Sequence, residues 1–158
     1  MARHFMAYWK SNQPALQDPR GRLIHAASNY YRRVEVGDTV WIVTLIDQEL
    51  HLVGKIPVHH VVDHETAEEL LNEFDLWCAD WHIIGDLKKK GSPIRFIRIH
   101  DRAEDIEFQT DKGPSGGIQI INGRISGTAL QTMRQLTPDS AALFEEKLAA
   151  EESWRKWK

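Results

Sequence analysis

Cysteine is nearly absent from this sequence. Cys78 stands alone, so no intramolecular disulfide can staple the fold, and the composition fits a reducing compartment. Long apolar runs are missing as well. The longest, over residues 40–46, falls far short of the roughly 20 residues that cross a bilayer. Met1-Ala2-Arg3-His4 leads into no apolar signal-peptide core, and the expectation is a cytoplasmic protein with no membrane partner. A large charge of one sign is lacking too. A net charge of −3 argues against a protein that coats nucleic acid by bulk electrostatics and confines any phosphate site to a local patch. There is no internal repeat, no low-complexity tract and no paired-cysteine zinc motif. Gly113-Pro114-Ser115-Gly116-Gly117 has neither the lysine nor the following helix of a phosphate-binding loop.

What remains is ordinary globular material in a chain of 158 residues, long enough for one good core and short for two. A single α+β domain is expected. His4-Phe5-Met6-Ala7-Tyr8-Trp9 reads as a buried strand that delivers a polar cluster, Lys10-Ser11-Asn12-Gln13, at its end. Pro14 to Arg22, with two prolines and a glycine, reads as loop, and residues 25–33 hold a helical turn. Val36-Gly37-Asp38 turns into a strand over Thr39–Ile46, rich in β-branched and aromatic residues. Asp47-Gln48 links it to a bent return strand over residues 49–62, where Gly54 and Pro57 mark a bulge or an edge.

A helix is expected next, capped by Asp63 or Thr66 and packing Leu70, Leu71 and Phe74 on one face. Strands are expected at His82–Ile84, around Ile94 to Ile99 and at residues 118–121, the last two separated by the strong turn signal of residues 111–117. Thr137-Pro138-Asp139 caps a terminal helix from about residue 138, whose core stripe is Ala141, Leu143, Phe144, Leu148 and Ala149. A short polar tail over residues 154–158 closes the chain.

Reactive groups point to no enzyme. His59, His60 and His64 with Asp63, or Cys78 with His82, have spacings a zinc ion tolerates. The first group, however, crosses an expected strand-to-helix boundary. Cys78 has no visible base or cation to activate it. No metal and no cofactor are expected.

Three segments, in order, resemble the PUA-like superfamily, and within it the EVE domains and their YTH and restriction-associated relatives: Ala7-Tyr8-Trp9-Lys10-Ser11, the run from Ser28-Asn29-Tyr30-Tyr31 through Val36-Gly37-Asp38-Thr39-Val40, and Leu52-Val53-Gly54-Lys55-Ile56-Pro57-Val58. Residues 77–111 do not follow the EVE pattern, and Ser11-Asn12-Gln13 replaces that group's acidic-proline step. The resemblance implies a curved, barrel-like, mostly antiparallel sheet with flanking helices. It also implies a pocket for one flipped and modified nucleobase in DNA or RNA, with a nuclease or other effector on a separate chain.

A flipped base needs aromatic faces and a few polar groups for its edge, and six tryptophans and three tyrosines supply faces. The candidate base-binding residues are Trp9, Lys10, Ser11, Asn12, Asn29, Tyr30, Trp77 and Trp81. The last two are four apart and would share one helical face. Arg32, Arg33, Lys88, Lys89, Lys90 and Arg95 are the candidate phosphate contacts. Against this stands a blander reading, a structural or protein-interaction domain. In it the aromatics are core, and the tail Trp154-Arg155-Lys156-Trp157-Lys158 docks a partner or a second copy. A monomer or weak dimer is expected on either reading.

Overall fold

The structure, a computed structural model, describes residues 2–13, 16 and 21–157. Most of the loop expected from Pro14 to Arg22, and Lys158 of the tail, lie outside the described residues. The chain begins with β1 (His4–Tyr8), two short strands, β2 (Arg22–Leu23) and β3 (His25–Ala27), and a 3₁₀ turn over Asn29–Arg33. β4 (Thr39–Ile46) and β5 (Glu49–Pro57) form a long hairpin, followed by β6 (His60–Val62), α1 (His64–Leu71) and β7 (His82–Ile84). β8 (Ser92–Pro93), β9 (Ile97–Arg98), the ribbon of β10 (Glu107–Thr110) and β11 (Gly113–Gly116), and β12 (Arg134–Gln135) lead to α2 (Pro138–Lys156).

The hairpin organises everything else. Asp47 and Gln48 both take left-handed backbone angles (φ 53° and 62°), the geometry by which a two-residue link matches the twist of its strands. Ile42 pairs with Gly54 but Val43 with Leu52, so Val53 is the extra residue of a bulge. Leu50 and Leu52 therefore face one layer, and Val53 and Ile56 the other. A Cβ at Gly54 would crowd Leu23 Cδ2 at 3.1 Å.

Five strands pair in the order β12-β1-β4-β5-β9, antiparallel except for β1 and β4. A second sheet, β3-β7-β6, is antiparallel throughout. The fold is thus α+β with mostly antiparallel sheets, and no closed barrel forms among the described residues.

Strand alternation buries both faces of the five-stranded sheet. Met6, Trp41 and Val43 pack with Phe108, Ile125, Leu143 and Phe144 on one side. Phe5, Ala7, Val40 and Ile42 pack with Tyr31, Val58 and Ile83 on the other. Trp41 is wholly core, with its indole N–H donating to His4 Nδ1 at 3.0 Å. No helix among the described residues is long and apolar enough to cross a membrane.

Several expectations need correction. α1 is capped by Asp63, which accepts from the Thr66 N–H at 2.8 Å, but it buries only Ala67. Leu70 and Phe74 are exposed, because Asn72 turns left-handed (φ 54°) and ends the helix before an apolar stripe can form. Residues 73–81 then run without regular structure, so Trp77 and Trp81 share no helical face. The turn-rich Gly113-Pro114-Ser115-Gly116 is itself a strand, paired with β10, and residues 118–121 are not. The bent return strand breaks after Pro57, and its last part joins the second sheet as β6. The strand expected around Ile94 to Ile99 contracts to Ile97–Arg98. On α2, Ala141, Leu143 and Phe144 are buried as expected, whereas Ala149 is exposed.

Candidate functional site

β1 ends by delivering Trp9 to the edge of the second core. Its backbone is pinned to β4, where Trp9 N–H donates to the Val43 carbonyl at 2.9 Å and Thr44 Oγ1 donates to the Trp9 carbonyl at 2.7 Å. Its indole hydrogen-bonds to the buried Tyr31 hydroxyl, whose pKa burial raises well above the usual phenol range and the indole draws back. Held in this way, Trp9 is only half-buried and opens onto two depressions.

The larger depression measures about 460 Å³, within the usual span for small-ligand sites. Trp9, Gln13, His25, Ala26 and Ala27 form one side, and Glu73, Asp75, Leu76, Trp77 and Cys78 the other. The second, about 120 Å³, shares Trp9, Gln13 and Ala27 and extends to Tyr30 and Gln131. A third, about 310 Å³, shares Tyr30 and adds Asn29, Arg32, Arg33, Asp80 and Trp81. Shared wall residues make the three neighbours, a tract of adjacent depressions that is aromatic and acidic at one end and carries two exposed arginines at the other.

Residues 73–81 supply much of this tract and are tied down at their end. The Ser28 N–H donates to the Trp81 carbonyl at 3.0 Å, and the Asp80 N–H donates to Asn29 Oδ1 at 3.0 Å. Behind the larger cavity lies the second sheet. Its register sets Ala27 and Val62 opposite His82, which puts His25 and His64 two residues away along the neighbouring chains, within diagonal reach. His25 Nε2 lies 2.7 Å from His82 Nδ1, and His82 Nε2 lies 3.0 Å from His64 Nδ1. Burial, then the His82 and His64 rings, hold the His25 pKa down to about 4. Burial likewise lowers that of His82. The two His82 nitrogens point to different neighbours and do not converge on one point. Among the described residues no group of three or more His, Cys, Asp or Glu is arranged to hold a metal ion.

No family model, curated protein or solved structure matches the chain. What the site can do must therefore be read from its residues.

Of the eight sequence candidates for base contact, Trp9, Tyr30 and Trp77 line the tract near its aromatic end, and Asn29 and Trp81 line its arginine end. The Asn29 oxygen is engaged in holding residue 80. Lys10, Ser11 and Asn12 are exposed in the turn after β1 and line none of these cavities. Gln13, the next residue, lines two of them.

Among the phosphate candidates, Arg32 and Arg33 border the tract. Arg95 is paired with Glu152 at 3.0 Å. Lys88, Lys89 and Lys90 lie on the β7–β8 connection, where Lys89 lines a separate small cavity with His59 and Gly91. Sequence reasoning missed Gln13, His25, Glu73 and Asp75. The one available signal was Gln13's place in the polar cluster after β1. Another depression, about 540 Å³ beside Gln48 and Asn122, has no aromatic wall on which a flat ring could rest.

Proposed function

We propose that this chain is a PUA-like nucleic-acid-binding module that takes one flipped, modified base into the Trp9–Trp77 cavity while Arg32 and Arg33 hold the adjoining backbone. It acts by binding rather than catalysis, and any nuclease or effector is carried on another chain. The observation that supports this most is the adjacency of these depressions, which lead through Trp9, Gln13, Ala27 and Tyr30 from the aromatic cavity to the arginines. A base has two apolar faces and a polar edge, while its phosphate is always charged. Carboxylates at Glu73 and Asp75 repel phosphate from the cavity and accept N–H groups. Arginines at the far end attract phosphate. The tract therefore orients a nucleotide base-inward.

Trp77 offers the cleaner test because it is 64% exposed and contributes little to the core. Trp77→Ala should weaken binding of oligonucleotides with a modified base by about 1–3 kcal/mol per stacked base, read by fluorescence titration at low salt. Unaltered affinity, or no binding by any modified or plain oligonucleotide, would remove the reading.

One feature favours the alternative of an interaction domain. Trp157 is 89% exposed just past the end of α2, with Trp154 54% exposed one turn earlier. Under that reading, Trp154→Ser with Trp157→Ser abolishes self-association in sedimentation while leaving oligonucleotide titrations unchanged.

A further inference from the structure

His25, His82 and His64 form a hydrogen-bonded chain with a direction. A neutral imidazole carries one N–H and one lone pair, so the tautomer at one end dictates the others. His64 Nε2 lies 3.4 Å from Glu68 Oε1, and a carboxylate can only accept. That carboxylate favours a hydrogen on His64 Nε2, in which case Nδ1 accepts from His82 Nε2–H and His82 Nδ1 accepts from His25 Nε2–H. Asp63, whose own pKa is lowered first by its Thr66 hydrogen bonds and further by His82 and His64, lies at the same end and biases the N–H dipoles the same way. The Ala79 carbonyl also meets the His82 ring. It acts on that ring more strongly than either carboxylate, and the direction holds when the His82 Nε2–H is the group that meets it.

The far end of this chain is a cavity wall, since His25 lines the Trp9–Trp77 cavity. Its Nδ1 is then a bare acceptor, with no hydrogen bond to it among the described residues. Gln13 lines the same wall, but its Oε1 is sealed from solvent, with no partner among the described residues, and is not presented to a ligand. Glu73 and Asp75 add carboxylate oxygens. The cavity thus presents acceptors to a ligand, the exposed carboxylates of Glu73 and Asp75 and the partly buried Nδ1 of His25.

We propose that Glu68, through His64 and His82, sets His25 as the Nε2–H tautomer, so that His25 Nδ1 selects a base bearing an exocyclic amino N–H. The ligand half rests on reading this cavity as the base site; the direction of the chain does not.

Two-bond ¹H–¹⁵N correlation spectra of the free, labelled protein near pH 7.5 report each histidine tautomer directly. The expected result is Nε2–H at His25, His82 and His64; Nδ1–H at His25 overturns the inference whatever the protein binds. Glu68→Lys replaces the acceptor by a cation and should move His64 and His25 toward Nδ1–H, and an unchanged spectrum counts against Glu68 as the group in control.

For the ligand, oligonucleotides carry one adenine, cytosine or guanine whose amino group is free, monomethylated or dimethylated. Dimethylation removes the last donor and should weaken binding roughly tenfold relative to monomethylation, and His25→Ala should level that difference. Equal binding of amino and dimethylamino forms overturns the selection. If no member of the panel binds while the tautomers are as expected, the base-site reading and the ligand half fall together. A reversed tautomer with binding intact overturns this inference alone.

Discussion

Lowering the pH should unfold this protein earlier than its carboxylates alone would require, because His25 resists protonation in the fold. In the unfolded chain it takes up a proton around its ordinary value of 6.5; in the folded chain, only near 4. Between those values the unfolded state binds more protons. The stabilisation is therefore complete above about pH 6.5 and lost progressively as the pH falls toward 4. At 1.36 kcal/mol per unit the displacement corresponds to about 3 kcal/mol, and access to solvent through the cavity trims it to about 2 kcal/mol. His82, also lowered by burial, acts in the same direction. Glu49, lowered by its hydrogen bond to Arg98, and Asp63, lowered by its hydrogen bonds to Thr66, lose their contributions at more acid pH, as they protonate through their depressed values. They do not account for a slope above pH 5. Urea titrations followed by tryptophan fluorescence at pH 7.5, 6.5, 5.5 and 4.5 measure that slope. His25→Phe keeps an aromatic ring and removes the titration, so its stability should vary less over the same interval. Flat wild-type stability from pH 7 to 4.5, or the same slope in His25→Phe, would refute the reasoning.

Three other expectations follow from particular contacts. Thr137 Oγ1 accepts from the Ser140 N–H at 3.2 Å at the start of α2, and Thr137→Ala should cost about 1 kcal/mol in denaturant titration, with no change refuting the cap. A Cβ on Gly117 would stand 2.6 Å from Phe108 Cε2 and 2.8 Å from the Ile106 carbonyl oxygen. Gly117→Ala should therefore destabilise by about 1–3 kcal/mol, and a melting temperature equal to the parent's would show that the ribbon yields freely. Arg32→Glu with Arg33→Glu should weaken every oligonucleotide and flatten the salt dependence. Reversal of Lys88, Lys89 and Lys90, of which Lys89 lines a separate cavity, should do so far less; the opposite ranking would move the phosphate path to the β7–β8 connection.

Local chemistry was legible where partners lie close in sequence. The Asp47-Gln48 link, the caps at Asp63 and Thr137, the bulge near Gly54 and the 3₁₀ turn after His25–Ala27 each depend on atoms a few residues apart. Propensity and hydrogen-bonding capacity decide such features before any core exists. Trp9 could likewise be singled out, because a strand ending in polar residues shows in the residues themselves. The fate of Leu70, Phe74 and Trp77 could not be read in that way. Apolar residues at helical spacing signal a buried face only if something covers it, and here the chain leaves the helix at Asn72 and lays Trp77 along a cavity instead.

The histidine chain is the clearest division between the two kinds of information. Eight histidines are present, and His59, His60 and His64 lie close together along the chain, a spacing that suggests a metal site built from near neighbours. Only the tertiary structure selected His25, His82 and His64, separated by 57 and 18 positions, because the pairing of β3, β7 and β6 puts Ala27 and Val62 opposite His82. A shift of one residue in either pairing would carry the histidine beyond it to the other side of the sheet. Register is decided by how the apolar faces of both sheets pack together, a property of the whole core and not of the residues around any one histidine.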